Sequence, residues 1–136
     1  MEINILWDGK MKFIGNTQSN FSIIMDASLD HGGENKGPRP IELILTALGG
    51  CTGMDVISIL QKMKEKVIDF EIKIYAERSE EHPKIFKKIH LEYIFKGENL
   101  KEENIKKAIE LSQTKYCSVS AMLKKSAEIT YSWKIL

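Results

Sequence analysis

Two cysteines carry the strongest chemistry in this chain. Cys51 stands in Leu48-Gly49-Gly50-Cys51-Thr52-Gly53-Met54-Asp55, and Cys117 stands in Lys115-Tyr116-Cys117-Ser118-Val119-Ser120. The thiolate is the nucleophilic form, and it is stabilised by free backbone N–H groups and the positive end of a helix dipole. Gly49 and Gly50 can break a helix, so one reading starts a second helix at Cys51 and activates its thiol. Glycine on both sides also lets a substrate or another backbone come close. The other reading makes Cys51 a small hydrophobe inside an apolar helix. Cys117 falls at another expected helix start, which Ser118 or Ser120 can cap. Taken alone, it reads as structural.

Two lone thiols suit a redox couple, in which one attacks an oxidant to become a sulfenic acid and the other condenses with it to a disulfide. A zinc site written into local sequence would show ligands at short spacings such as Cys-x-x-Cys. This chain has no such motif, and His31, His82 and His90 fall in an expected loop, turn and strand. No metal and no bound cofactor are expected.

Charged helpers are few. Glu42 lies nine residues before Cys51. At about 100° per residue, that spacing puts the two on opposite faces of a straight helix. Glu42 therefore serves Cys51 only through a break at Gly49-Gly50 or across to a partner subunit. Otherwise it is a first-turn charge matched to the helix dipole. Asp55 lies one turn after Cys51 and on its face, where a carboxylate raises a thiol pKa unless a cation neutralises it. Its plainer role is a buried acid satisfied by a hydrogen-bond donor. Arg39 and Arg78 are the only arginines, and Lys10 follows the first turn. Each reads first as a surface charge.

The elements that must position these groups follow from patterning. The chain has 136 residues, a net charge of +1, and is 43% hydrophobic and 29% charged. Those values suit one globular domain, residues 1–136, and argue against a strongly basic nucleic-acid binder. Residues 1–15 show no basic stretch leading into an apolar core, so no signal peptide is expected and the cytoplasm is the expected compartment. Thiols there are ordinarily reduced. Glu2–Trp7, Lys10–Ile14 and Phe21–Asp26 read as strands, with a hairpin turn at Asp8-Gly9. Residues 27–40 read as a Gly- and Pro-rich loop with nothing to support a core, and Pro40 falls near the first position of a helix over 41–64. Residues 67–77 and 85–95 alternate as an antiparallel pair, 100–115 form an amphipathic helix, Tyr116–Lys125 a short helix or turn, and 127–135 a last strand. The order is βββ-α-ββ-α-β, an α+β fold.

From Ile41 to Leu60 the only charges are Glu42 and Asp55. That is membrane-spanning length. The glycines, an acid deep inside the run and the lack of a second span favour instead a helix buried on nearly every face, with no membrane partner. A chain this small has difficulty covering such a helix alone, which points to a second copy in a two-fold dimer.

The segment Gly37-Pro-Arg-Pro-Ile-Glu-Leu-Ile-Leu-Thr-Ala-Leu-Gly-Gly-Cys51-Thr-Gly-Met-Asp-Val resembles the Pro-x-Glu-Leu…Gly-Gly-Cys segment of the OsmC/Ohr family, the osmotically inducible and organic hydroperoxide resistance proteins. Tyr116-Cys117-Ser-Val-Ser resembles its second cysteine motif, and Lys66–Gly97 and Ala127–Leu136 extend the likeness over the whole chain. Within the family, Asp55-Val-Ile-Ser-Ile-Leu-Gln-Lys, Glu77-Arg78, Pro83…Phe86 and Leu111-Ser…Lys115-Tyr-Cys-Ser-Val resemble the YhfA-like branch. The resemblance implies an OsmC-like fold, an intertwined homodimer, and thiol peroxidase chemistry on organic hydroperoxides in oxidative stress defence. It makes Cys51 the peroxidatic thiol and Cys117 the resolving one, with an external dithiol as reductant. It gives Glu42 the role of orienting an activating arginine. In better-characterised branches that arginine comes from the N-terminal strands, whereas this chain has none before Arg39, so Arg39 and Lys10 are the cations available. Lysine is a point charge rather than a bidentate fork. The alternative is a small-molecule-binding or redox-sensing dimer on the same fold.

Overall fold

Alternation at the N-terminus produces three short strands, β1 (Asn4–Trp7), β2 (Phe13–Asn16) and β3 (Ser22–Met25). The computed structural model describes all residues, 1–136. The three strands pair antiparallel in the order β1-β2-β3. The β1–β2 turn takes positive φ at Gly9 (86°) and Lys10 (47°), which is why glycine suits its first position. These strands belong to a compact unit of residues 1–45.

The loop that follows is anchored, contrary to the expectation that nothing in it supports a core. Asp26 is buried, and its carboxylate accepts backbone N–H groups from Ala27 (2.7 Å), Glu34 (3.2 Å) and Lys36 (3.1 Å). Burial opposes its ionisation, but these three donors prevail and hold its pKa below the usual carboxylate value.

Helix α1 runs from Pro40 to Lys62. A second compact unit comprises residues 46–136. In it, β4 (Lys66–Arg78), β5 (Phe86–Glu98) and β6 (Glu128–Ile135) form a sheet in that order, antiparallel between β4 and β5 and parallel between β5 and β6. Helix α2 (Glu102–Leu111) passes into a π turn (Ser112–Tyr116), and α3 spans Ser118–Leu123. The expected inward faces are realised. Ile89, Leu91, Tyr93 and Phe95 of β5 are buried, as are Ile105, Ala108 and Ile109 of α2.

Two features of α1 differ from expectation. The helix continues unbroken through Gly49 and Gly50, so Cys51 does not begin a helix. Gly49 and Gly53 act as spacers. A Cβ on Gly49 would lie 3.0 Å from the Ile74 Cδ1 of β4, and one on Gly53 would lie 3.4 Å from the Ile72 Cδ1. Close approach of helix to sheet explains both glycines without a break, at a cost of about 1 kcal/mol each relative to alanine. The second feature is that burial of α1 is one-sided in the single chain, along Leu48, Thr52, Val56 and Leu60. Met54 is 73% exposed and Ile44 39%. One sheet can cover only one stripe of a helix. By length and composition α1 could also cross a membrane; here its buried stripe carries Thr52, hydrogen-bonded to Tyr93 on β5.

Candidate thiol site

Three elements converge on the cysteines. Helix α1 presents Cys51 and, one turn later, Asp55. The π turn presents Ser112 and Gln113, and Cys117 is the N-cap of α3. Both cysteines are free thiols, Cys51 half-buried and Cys117 buried. Their Sγ atoms and a carboxylate oxygen of Asp55 all lie within 4.8 Å of one another. A disulfide needs about 2.05 Å between sulfurs, so closure asks for a local shift of the two side chains.

The two thiols sit in different electrostatic settings. The Cys117 Sγ accepts the Ser120 N–H at 3.3 Å, and the Cys117 N–H donates to the Ser112 carbonyl at 2.8 Å. Burial nevertheless pushes the Cys117 thiol up to about 11, and Cys51 and Asp55 add to the rise against the opposing Ser120 N–H. Cys117 does stand at a helix start as expected, but one N–H does not outweigh burial beside two acidic neighbours. For Cys51, the expected activation by a helix N-terminus is absent. Only the first four N–H groups of a helix lack intrahelical partners, and Cys51 is mid-helix.

A buried polar network unforeseen in the sequence backs the site. Thr52 Oγ1 lies 2.7 Å from Tyr93 Oη and 2.7 Å from Ser112 Oγ, and Ser112 Oγ donates to Asp55 Oδ2 at 3.0 Å. Gln113 Nε2 donates to Tyr93 Oη (3.0 Å) and Thr52 Oγ1 (3.2 Å), while Ser120 Oγ donates to Gln113 Oε1 (2.7 Å). Lys124 Nζ donates to the Gln113 carbonyl. Each hydroxyl has one proton. Since Ser112 gives its proton to Asp55, Thr52 must donate to Ser112 and Tyr93 to Thr52. The chain of donors therefore runs from Tyr93 to Asp55 and ends on a carboxylate. Burial pushes the Tyr93 phenol up to about 12, which keeps it a donor. The legible signal was a polar residue beside Cys51 (Thr52) and two more, Ser112 and Gln113, continuing the apolar face of α2.

Asp55 also lines an open cleft of about 640 Å³ with Met54, Ser58, Ile59, Leu111 and Tyr116. The structure thus gathers Cys51, Cys117 and Asp55. The other expected helpers belong to the first unit and have partners there. Glu42 Oε1 accepts the Arg39 N–H at 2.8 Å at the start of α1. The Arg39 guanidinium donates to the Gly37 carbonyl at 2.9 Å, and Lys10 Nζ lies 3.9 Å from Glu34. His90 is bound by Thr130 (2.7 Å) and Ser132 (3.0 Å) of β6.

A family model described as "OsmC-like protein" matches residues 33–132. Protein YhfA of Escherichia coli strain K12 is 40% identical over 136 residues, covering 100% of this chain and 98% of YhfA. A hypothetical protein from Aquifex aeolicus VF5 superposes with a TM-score of 0.83 at 34% identity, over 99% of this chain and 96% of that one. An organic hydroperoxide resistance protein OsmC from Legionella pneumophila shares the fold, with a TM-score of 0.68 at 12% identity over 98% and 97% of the two chains.

Proposed function

The chain belongs to the OsmC-like protein family, and on that premise we propose that it is a cysteine-based peroxidase acting on organic hydroperoxides. The observation that carries this reading is the pair of free thiols, one half-buried and one buried, within 4.8 Å of each other. The Cys51 thiolate attacks the distal peroxide oxygen, the O–O bond breaks, and the alcohol leaves with a proton. Cys51 is now a sulfenic acid. The Cys117 sulfur attacks it, the S–S bond forms, and the hydroxyl leaves as water with the Cys117 proton. An external dithiol takes up the disulfide and restores both thiols. The apolar residues of the Asp55 cleft, Met54, Ile59 and Leu111, suit an alkyl or aryl hydroperoxide. Since α1 is unbroken, Glu42 as orienting acid and Arg39 or Lys10 as cation are assigned to Cys51 only across the homodimer. The working form is a homodimer in the cytoplasm.

Titration of the reduced protein with one equivalent of cumene hydroperoxide tests this. Wild type should lose two thiols, and Cys51→Ser should lose none. Cys117→Ser should stop at a sulfenic acid that dimedone traps. Peroxide consumption by Cys51→Ser as fast as by wild type would overturn the reading. The second reading, a small-molecule-binding or redox-sensing dimer, is favoured by the lack of any arginine before Arg39. Under its binding form both thiols survive the peroxide, and under its sensing form they are lost slowly.

A further inference from the structure

We propose that the reduced protein binds one thiophilic divalent cation of the zinc class through Cys51 Sγ, Cys117 Sγ and an Asp55 carboxylate oxygen. The sequence spacing argued against a metal, because no two cysteines or histidines stand at ligand spacing. Folding overrides that argument by bringing α1 and the α3 N-cap together, so that the three donor atoms lie within 4.8 Å of one another. Around a tetrahedral zinc, with bonds of about 2.3 Å to sulfur and 2.0–2.2 Å to oxygen, donor atoms sit roughly 3.5–3.8 Å apart. Donor atoms within 4.8 Å of one another must draw together to reach that spacing.

Three further observations point the same way. First, the hydroxyl chain Tyr93–Thr52–Ser112 ends on Asp55 Oδ2 and holds the carboxylate as an acceptor. A donated hydrogen bond of this kind orients a ligating carboxylate. Second, two sulfurs and a carboxylate oxygen supplied by two separate elements form a donor set that one dication can hold together. Third, Asp55 opens on a cleft while Cys117 is buried, so an ion can enter from one side of a site that is closed on the other. Two thiolates and one carboxylate select zinc over calcium or magnesium. Three protein ligands leave the fourth tetrahedral position to water or another small ligand.

Binding exchanges protons for metal. Each protonated thiol releases its proton to solvent as its sulfur bonds the ion, and no electron moves. The bound ion and the Cys51–Cys117 disulfide are mutually exclusive, since both use the same sulfur electrons. The inference is independent of the peroxidase reading, because it concerns the reduced thiols whether or not they turn over peroxide.

Cobalt(II) titration of the reduced full chain, after chelator treatment, is the test. One Co²⁺ per chain should bind with intense near-ultraviolet thiolate-to-cobalt absorption and tetrahedral visible bands, and Zn²⁺ should displace it. Asp55→Asn should weaken binding about tenfold or more while the thiolate band persists. Cys117→Ser should lose about half the band. The disulfide form of the unsubstituted protein, which needs no variant to fold, should show no band. Peroxide consumption by metal-free protein is measured alongside and reports separately on the peroxidase reading. Zinc-loaded protein should lose its thiols to diamide at least several-fold more slowly than metal-free protein. Absence of the thiolate band in reduced wild type with excess Co²⁺ overturns the site, and Asp55→Asn binding as tightly as wild type removes Asp55 from it.

Discussion

Burial makes the two thiols unequal. Cys117 is pushed up to about 11 from an ordinary value of 9.0, so at neutral pH it is a protonated thiol. The proposed resolving step should therefore accelerate as pH rises, and stopped-flow closure of the disulfide should increase from pH 7 to 9 in proportion to hydroxide. The same shift has a stability consequence. The folded state holds the Cys117 proton above the pH at which the unfolded chain releases it, so this contribution is complete below about pH 9 and is lost as pH climbs towards 11. Urea midpoints measured from pH 8 to 10.5 should fall, and Cys117→Ala should flatten that fall. In the middle of the hydroxyl chain, Thr52→Val leaves Tyr93 and Ser112 each short of a partner. A loss of about 1–3 kcal/mol is expected by chemical denaturation.

Helix α1 is the element on which the site depends, and its glycines have different reasons to be glycine. Gly49 and Gly53 face Ile74 and Ile72 on β4, whereas a Cβ on Gly50 would meet nothing within 4 Å. In the chain alone, Gly50→Ala should stabilise the helix by about 0.5–1 kcal/mol. A destabilisation in the thermal melt would mean that another surface closes on this face of α1. Gly49→Ala must displace the Ile74 side-chain tip, so it should gain less than Gly50→Ala or lose stability. The π turn after α2 matters equally. It directs Ser112 and Gln113 into the polar network and leaves Cys117 as the cap of α3.

At the scale of the molecule, much apolar surface is left uncovered. Trp7 is 68% exposed, Phe21 70% and Met54 73%, with Ile5 and Ile24 also exposed. Apolar exposure of this extent supports the proposed homodimer. A homodimer is expected in solution, its mass read by sedimentation equilibrium at micromolar concentration, and a monomer there would remove the dimer from the proposal. Under mild detergent, dissociation should precede loss of helical signal.

The element order and the inward faces of β5 and α2 were legible in sequence because alternation and helical periodicity are local consequences of which side is buried. Both cysteines, Glu42 and Asp55 stood out as candidates because each is an unusual residue in its local setting, and the structure gathers the cysteines and Asp55. Three things were decided only by tertiary packing. Gly49-Gly50 proved to be no break, and Gly49, with Gly53, is a spacer, because the contact that needs it comes from β4. The neighbourhood of Cys117 was set by α1, whose Cys51 and Asp55 lie far away in sequence yet close enough to raise its pKa. The Tyr93–Thr52–Ser112–Asp55 chain draws on β5, α1 and the π turn at once. A pattern within one segment encodes which side of it is buried, but it holds no information on which polar groups other segments will bring to that side.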